Sequence, residues 1–267
     1  SVFVWNAVVS RDVVALLRRL APEVIVVVGG PEVSHECDQQ EICRLADYVV
    51  RGEGELVFAD LCVRLLAGER PSPHVIDAPP PHFEALASPY DEYTDADISN
   101  RVVYVEASRG CPFTCEFCLS ALEVPLRRAP LQPFLADLDR LFRRGVRHFK
   151  FVDRTFNLDL AAARAILEFF RDRLCDGLFV HFEMIPDRFP PALRELVAAF
   201  PPGALQFEVG IQTFDPEVGN RIARRQDNDR AADNLRWLRE STGVHVHADL
   251  IVGLPGEDLA SFAAGFN

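Results

Sequence analysis

Residues 1–77 alternate between short apolar runs and segments with helical periodicity. The pattern predicts strands at Val2–Trp5, Val24–Val28 and Tyr48–Val50, and helices at Arg11–Leu20 and Leu56–Leu66. Every position of Val24–Val28 is apolar, which is typical of a strand buried on both faces of a parallel sheet. We therefore predict an α/β, Rossmann-like (flavodoxin-like), doubly wound domain over residues 1–77.

The segment 78–100 is rich in Pro, Asp and Ser and lacks periodicity, which predicts a linker. Strands and helices then alternate again over 101–267. The predicted strands are Val102–Ala107, His148–Asp153, Leu178–Ile185, Leu205–Gln212 and Val244–Val252, with helices such as Leu160–Leu174 and Arg230–Glu240. Repeated βα units of this length predict a parallel barrel, closed or partial.

The two ends of the sequence suggest a fragment of a longer protein. The chain begins at Ser1 without an initiator methionine. It ends at Asn267, where the pattern predicts that a helix has just begun. We expect a truncation at both ends, with the barrel incomplete at its C-terminal side.

Polar residues follow one face of the predicted barrel strands, because side chains alternate along a strand. The polar sets are Gln206, Glu208, Gly210 and Gln212; His245, His247 and Asp249; and His181 with Glu183. The outer face of such a strand packs on helices, so these sets should point into the barrel. Unpartnered carboxylates there would be costly, which predicts a bound polar ligand. The alternative for Glu208 and His245 is a network of paired side chains at the barrel floor.

Composition narrows the class of protein. The formal net charge of −12 argues against a nucleic-acid binder, which is normally basic. No apolar run reaches about 18 residues, so we expect no membrane span. No secretory signal is present, and we predict a cytoplasmic protein. Seven cysteines form an odd set, which in such a compartment does not suggest a disulfide framework.

Three cysteines cluster directly after the predicted strand Val102–Ala107. Cys111, Cys115 and Cys118 lie in the sequence SRGCPFTCEFC. Three thiolates can hold three corners of a [4Fe–4S] cubane, which leaves the fourth iron without a protein ligand and open to chemistry. A structural zinc site is the alternative, although it usually arranges its cysteines as separated pairs and needs a fourth ligand.

This spacing, with Phe117 before the last cysteine, resembles the CxxxCxΦC signature of the radical S-adenosylmethionine (radical SAM) superfamily. The resemblance implies that SAM chelates the open iron and that an electron from the cluster releases a 5′-deoxyadenosyl radical. It also implies a partial (β/α)6 barrel over 101–267. A small-molecule substrate and a reductant such as flavodoxin or ferredoxin are the partners that it implies.

Two further segments resemble the coproporphyrinogen-dehydrogenase-like branch of that superfamily. They are Gly210–Asp215, followed by Arg224–Asp227, and Ala248–Glu257. The SAM-binding residues implied by the resemblance are Glu183, Gln212, Arg224, Asp249, Asp153 and Phe117. Asp153 falls at a departure from the family, because many members carry Gly-Gly-Glu where this chain has Asp153-Arg154-Thr155. Arg154 could then face the substrate or a cobalamin.

The first half resembles the cobalamin-binding domain found ahead of many radical SAM barrels. Gly29 and Gly30 match the double glycine that lines the nucleotide-tail pocket of that domain, although an ordinary βα turn has the same sequence. Three further cysteines invite comparison with methylthiotransferases, which hold a second cluster on N-terminal cysteines. Here Cys37, Cys43 and Cys62 lie close together in helix- and loop-like stretches, which favours thiols packed as small hydrophobes.

Together these features predict a radical SAM enzyme with a [4Fe–4S] cluster, SAM and cobalamin as cofactors. The predicted reaction is methylation of an unreactive carbon or phosphorus centre. One alternative is a radical SAM oxidoreductase or ring-forming enzyme whose first domain binds cobalamin only structurally or not at all. The other is a non-enzymatic zinc-binding or electron-transfer module. The sequence does not indicate the substrate.

Overall fold

The computed structural model describes residues 1–122 and 125–266, which form two compact units. The first unit is Ser1–Ala87 and the second is Ser88–Asn267, so the division falls inside the predicted linker. That linker contains regular structure, including a helix at Asp95–Asn100 that begins with a capping box formed by Thr94 and Asp97.

The first unit is a three-stranded parallel sheet with helices along the chain between its strands. Its elements are α1 (Ala7–Leu20), β1 (Val27–Gly29), α2 (Pro31–Ser34), α3 (Glu41–Leu45), β2 (Tyr48–Gly52), α4 (Glu55–Leu66) and β3 (Val75–Ala78). The strand order is β1-β2-β3, and every pairing is parallel. This arrangement confirms the predicted α/β class for the first half.

The predicted strand at Val2–Trp5 is wrong. The Val2 amide donates to the Gly29 carbonyl oxygen at 2.7 Å, but the chain then turns directly into α1. The Asn6 side chain closes this turn, because its Oδ1 accepts the Phe3 amide at 2.8 Å. Helix α1 consequently starts at Ala7, four residues earlier than Arg11, and leaves too few residues for a strand.

The second unit is a five-stranded parallel sheet with helices in the connections. Its elements are α5 (Asp95–Asn100), β4 (Val103–Val105), β5 (Ser108–Arg109), β6 (Arg127–Arg128), α6 (Leu131–Arg143), β7 (His148–Phe151), α7 (Leu160–Arg171), β8 (Phe179–Met184), α8 (Pro191–Ala198), β9 (Leu205–Gln212), α9 (Pro216–Arg221), α10 (Asn228–Ser241), β10 (His245–Leu250) and α11 (Leu259–Phe266). The order across the sheet is β4-β7-β8-β9-β10. All five predicted strands are present. Within the described residues the sheet has one strand fewer than a (β/α)6 barrel.

Strand β9 shows how the sequence pattern positions the polar face. Its burial alternates at every residue, with Leu205, Phe207, Val209 and Ile211 buried in the main core. The same core contains apolar residues of α6, α7, α8 and α10, so the apolar face of the sheet is covered by helices. Burial of each large apolar side chain stabilises the fold by roughly 1.5–3 kcal/mol. The polar residues of β9 therefore share the opposite face, as predicted.

Among the residues that the structure describes, no helix is long and apolar enough to cross a membrane.

Candidate functional site

A cavity of about 400 Å³ opens where β8, β9 and β10 end, next to the loop that carries the three clustered cysteines. Parallel barrels bind their ligands at the carboxyl ends of their strands. The volume is within the range of small-molecule sites. Most of the predicted site residues line this one cavity: Cys111, Cys115, Phe117, Cys118, Glu183, Gln212, Arg224 and Asp249.

The cysteine loop begins at β5, which pairs antiparallel with β6. Gly110 has a φ of 87°, a left-handed conformation that glycine adopts without strain, and it turns the chain into Cys111. Cys111 and Cys115 are buried, and Cys118 is half-buried. Burial raises the pKa of the Cys111 thiol, and the nearby charges of Cys118 and Cys115 raise it further, so the three sulfurs are electrostatic neighbours.

The donor set and its spacing fit the predicted cluster. Three thiolates supply three of the four corners of a [4Fe–4S] cubane and leave one iron without a protein ligand. Over residues 1–122 and 125–266, no group of three or more His, Cys, Asp or Glu side chains is arranged to hold a single metal ion.

Gln212 is held at the end of β9 in an unusual backbone conformation. Its φ is 71°, and the pairing of β9 with β10 shifts register here, so that Leu250 lies opposite Gln212. Left-handed backbone at a residue other than glycine costs about 1–3 kcal/mol and is common at functional sites. A Cβ atom at Gly210 would collide with the Gln212 amide. Gly210 therefore makes room for the Gln212 side chain beside the cavity.

Two carboxylates from neighbouring strands, Glu183 and Glu208, lie in the cavity with different partners. Arg154 Nη1 donates to Glu183 Oε1 at 3.2 Å, and burial raises the pKa of Glu183. Glu208 Oε2 lies 3.1 Å from Nε2 of the buried His181, whose pKa is lowered by burial. The sequence left two roles open for Glu208, contact with a bound ligand or pairing within a side-chain network. The structure is consistent with both, since Glu208 lines the cavity and is also paired to a histidine.

Asp153 is not among the residues that line this cavity. It is 2% exposed, and its carboxylate accepts hydrogen bonds from the Ala107 amide at 3.0 Å and the Ser108 hydroxyl at 2.6 Å. Burial raises the pKa of Asp153 to about 6. The predicted strand His148–Asp153 ends at Phe151, so Asp153 lies beyond it and turns toward the start of the cysteine loop. The structure therefore separates Asp153 from the other predicted SAM residues.

The pair Gly29 and Gly30 has a packing role of its own. Gly30 has a φ of 116°, and a Cβ atom there would lie 2.6 Å from the Val2 carbonyl oxygen. A Cβ atom at Gly29 would lie 3.1 Å from the Val50 carbonyl oxygen. Close backbone packing requires Gly30 and leaves little space at Gly29, so the identity of these glycines alone is not evidence for cobalamin.

Cys37 and Cys43 are buried in the core of the first unit, while Cys62 is half-buried on α4. Burial raises the pKa of Cys43 to about 12, so this thiol is protonated at neutral pH. The burial of Cys37 and Cys43 in this core agrees with the expectation that these thiols pack as small hydrophobes.

The cavity also contains side chains that the sequence did not single out as SAM-binding residues. They include Phe113, Thr155, Met184 and Ile185. Phe113 is an intervening residue of the cysteine motif, and the Arg188 guanidinium lies 5.7 Å from its ring centre. Met184 and Ile185 lie at and just after the end of β8, a position that could have identified them from the sequence.

A parallel, barrel-like sheet with a three-cysteine loop and a polar cavity at its strand ends defines a class of iron–sulfur enzyme fold. Comparison with known families identifies it. The radical SAM superfamily model matches residues 105–264, and a B12-binding domain model matches residues 1–62. The chain belongs to the radical SAM superfamily, and its first unit carries a B12-binding domain. These matches imply a [4Fe–4S] cluster, SAM and cobalamin as cofactors, as predicted.

The chain is also similar to individual proteins that are named as methyltransferases. The uncharacterized methyltransferase PH0819 of Pyrococcus horikoshii is 28% identical over 93% of this chain and 58% of its own length. The cobalamin-dependent radical SAM methyltransferase TokK of Streptomyces tokunonensis is 24% identical over 99% of the chain and 43% of its own length. The structure of the methyltransferase TsrM from Kitasatospora setae, with cobalamin and [4Fe–4S] cluster bound, matches 97% of this chain and 57% of its own with a TM-score of 0.75 and 19% identity.

The chain spans about half the length of the curated relatives that it matches. The likeness to TsrM, at this identity, supports the fold: a B12-binding domain followed by a radical SAM barrel. The predicted fold class and family are thereby confirmed.

Proposed function

We propose that the whole protein is a cobalamin-dependent radical SAM methyltransferase that methylates an unreactive carbon or phosphorus centre of a small molecule. One observation carries the proposal. A single cavity joins the three cysteines with Glu183, Gln212 and Asp249 at the strand ends. The B12-binding match over residues 1–62 adds the second cofactor, and TokK is named for this type of chemistry.

The side chains of the chain divide the work in the cavity. The three cysteines hold the cluster and leave one iron open. Glu183 and Asp249 accept hydrogen bonds from the vicinal hydroxyls of the SAM ribose, since carboxylates are acceptor-only groups. Gln212 offers both an amide donor and an acceptor to SAM, and Phe117 and Met184 exclude water. When bound, the reduced cluster supplies the electron that cleaves SAM, and cobalamin supplies the methyl group.

The proposed partners follow from the same chemistry. The cluster requires a one-electron reductant such as flavodoxin or ferredoxin. All seven cysteines are free thiols, which agrees with a reducing compartment, and we propose the cytoplasm. The net charge of −12 favours a small molecule over nucleic acid as the substrate.

The first test is electron paramagnetic resonance on the anaerobically reconstituted, dithionite-reduced full-length protein, with and without SAM. A [4Fe–4S]⁺ signal that changes on addition of SAM is expected, because SAM then binds the open iron. A signal that is indifferent to SAM would contradict the SAM site and favour an electron-transfer module.

Product analysis then separates methyl transfer from other radical outcomes. A methylation that uses one SAM to charge cobalamin and another to activate the substrate yields S-adenosylhomocysteine and 5′-deoxyadenosine in equal amounts. Deoxyadenosine without S-adenosylhomocysteine would favour the oxidoreductase. A full-length protein that reconstitutes without any corrinoid would rule out the cobalamin-dependent reaction.

A further inference from the structure

The connection between α9 and α10 is fixed against the cysteine loop by main-chain contacts. The Glu116 amide, between the second and third cysteines, donates to the Ile222 carbonyl oxygen at 3.0 Å. Ala223 then adopts a left-handed conformation with a φ of 53°, and the Arg224 amide donates to the Gly219 carbonyl oxygen at 2.8 Å. The backbone of Arg224 is thus placed by hydrogen bonds that do not involve its side chain.

The Arg224 guanidinium is directed at a cluster cysteine. Its Nη1 lies 3.9 Å from Cys115 Sγ. Its Nη2 donates both to the Gly210 carbonyl oxygen and to Gln226 Oε1, the latter at 3.1 Å. Its Nε is buried and has no hydrogen-bond partner among the residues that the structure describes. Two acceptors therefore hold Nη2 in place while the other terminal nitrogen, Nη1, faces the sulfur.

This geometry limits how Arg224 can bind a carboxylate. A bidentate carboxylate uses two parallel N–H bonds, either from Nη1 and Nη2 or from Nε and Nη2. Both pairs require Nη2, and both of its hydrogens are already directed at Gly210 and Gln226. Neither two-hydrogen face of the guanidinium is free for the methionyl carboxylate of SAM. The side chain is better placed to act on Cys115.

We propose that Arg224 is a positioning residue for the cluster, whose N–H group and positive charge at Cys115 Sγ make the cluster easier to reduce. Hydrogen bonds to cysteine sulfurs are one of the factors that set the potential of an iron–sulfur cluster. A positive group stabilises the reduced cluster more than the oxidised one, because reduction adds negative charge. This inference rests on the proposed function only in requiring that the cysteines bind a cluster.

The test is an EPR-monitored redox titration of reconstituted full-length protein without SAM. In Arg224→Gln the midpoint potential should shift to a more negative value. Arg224→Lys, which retains the charge but not the fork of donors, should shift it less. The control is Arg225→Gln, which removes the same charge from the neighbouring residue and should leave the potential unchanged. Gln226→Leu keeps the arginine but removes one of its two anchors, and a smaller shift in the same direction is expected.

These measurements distinguish a failure of the proposed function from a failure of the inference about Arg224. Wild-type protein without a cluster signal would contradict the proposed function itself. An unchanged potential in Arg224→Gln, together with a SAM dissociation constant raised tenfold or more, would make Arg224 a SAM ligand and overturn the inference. If Arg224→Gln fails to take up iron, the midpoint potentials of Arg224→Lys and Gln226→Leu test the inference instead. Wild-type potentials in both variants would overturn it.

Discussion

The Asp153 carboxylate accepts a hydrogen bond from the Ser108 hydroxyl at 2.6 Å, and this contact ties the end of β7 to the start of the cysteine loop. A second bond, from the Ala107 amide at 3.0 Å, strengthens the tie. Only two residues separate Ser108 from Cys111, so the first cluster ligand is positioned from a buried carboxylate on the neighbouring strand connection. Asp153 supports the site without lining it.

Replacement of Asp153 by asparagine should change how stability depends on pH. Burial raises the pKa of Asp153 from 3.8 to about 6, so its protonated form is favoured in the folded state. The resulting stabilisation is fully present below about pH 4 and is lost as the pH rises through about 6, a change of up to about 3 kcal/mol. The asparagine side chain of the variant does not titrate. The unfolding free energy of wild type minus that of Asp153→Asn should therefore fall between pH 4 and pH 7.

Urea denaturation of the reduced apo-protein at several pH values measures this difference. All other titrating groups are common to both proteins and cancel. A difference that is constant over the whole range would mean that the pKa of Asp153 is the same in the folded and the unfolded protein.

The cluster cysteines should be individually required for iron binding. Substitution of Cys111, Cys115 or Cys118 by serine removes one thiolate ligand, and we expect reconstituted protein to lose most of its iron and its [4Fe–4S]⁺ signal. The matched control is Cys175→Ser, because Cys175 is a free, exposed thiol outside the cavity. Iron analysis and EPR of the variants give the result. Full iron content in any of the three variants would remove that residue from the ligand set.

Glu183 should contribute to SAM affinity through its charge. A hydrogen bond to an ionised carboxylate contributes about 1.5–3 kcal/mol, so Glu183→Gln should raise the SAM dissociation constant about tenfold or more. Because burial raises the pKa of Glu183, wild-type affinity should weaken as the pH falls toward that pKa, and the variant should lose this dependence. Equilibrium dialysis of SAM against reconstituted protein measures both effects.

The control for Glu183 is Glu195→Gln, a glutamate on α8 outside the cavity. It should bind SAM as wild type does. Equal affinities for wild type and Glu183→Gln at every pH would show that the carboxylate does not contact SAM, and its role would then be limited to the ion pair with Arg154.

The sequence predicts the orientation of a side chain best within a strand, because the alternation of side chains along the strand determines the face on which it lies. Gln212 and Asp249 lie on strands of six or more residues, and alternation was sufficient to assign them to the inner face. The direction of Asp153 could not be predicted from alternation, because β7 ends at Phe151 and beyond a strand the alternation no longer applies. The contacts of Arg224 with Gly210 and Cys115 could not be predicted either, since both residues are distant from it in the sequence and meet it only in the fold.

Substitutions at Gly29 and Gly30 can distinguish a packing role from a cofactor-binding role in the first unit, because the two glycines are packed with different tightness. Gly30→Ala places a Cβ atom 2.6 Å from the Val2 carbonyl oxygen in a left-handed conformation, which should destabilise the domain by about 1–3 kcal/mol or more, with or without corrinoid. Gly29→Ala approaches the Val50 carbonyl oxygen at 3.1 Å, a contact that small shifts relieve. We expect Gly29→Ala to fold with nearly wild-type stability.

Spectroscopic titration of the full-length variants with hydroxocobalamin completes the test. If the corrinoid approaches the end of β1, as the resemblance of Gly29 and Gly30 to the double glycine of cobalamin-binding domains implies, Gly29→Ala should bind it at least tenfold more weakly while its thermal unfolding is nearly unchanged. Wild-type affinity in Gly29→Ala would assign this glycine to the βα turn alone and place the corrinoid elsewhere on the domain. Gly30→Ala is the reference for a variant that loses corrinoid binding because the domain unfolds. Its unfolding temperature should fall together with its affinity for the corrinoid.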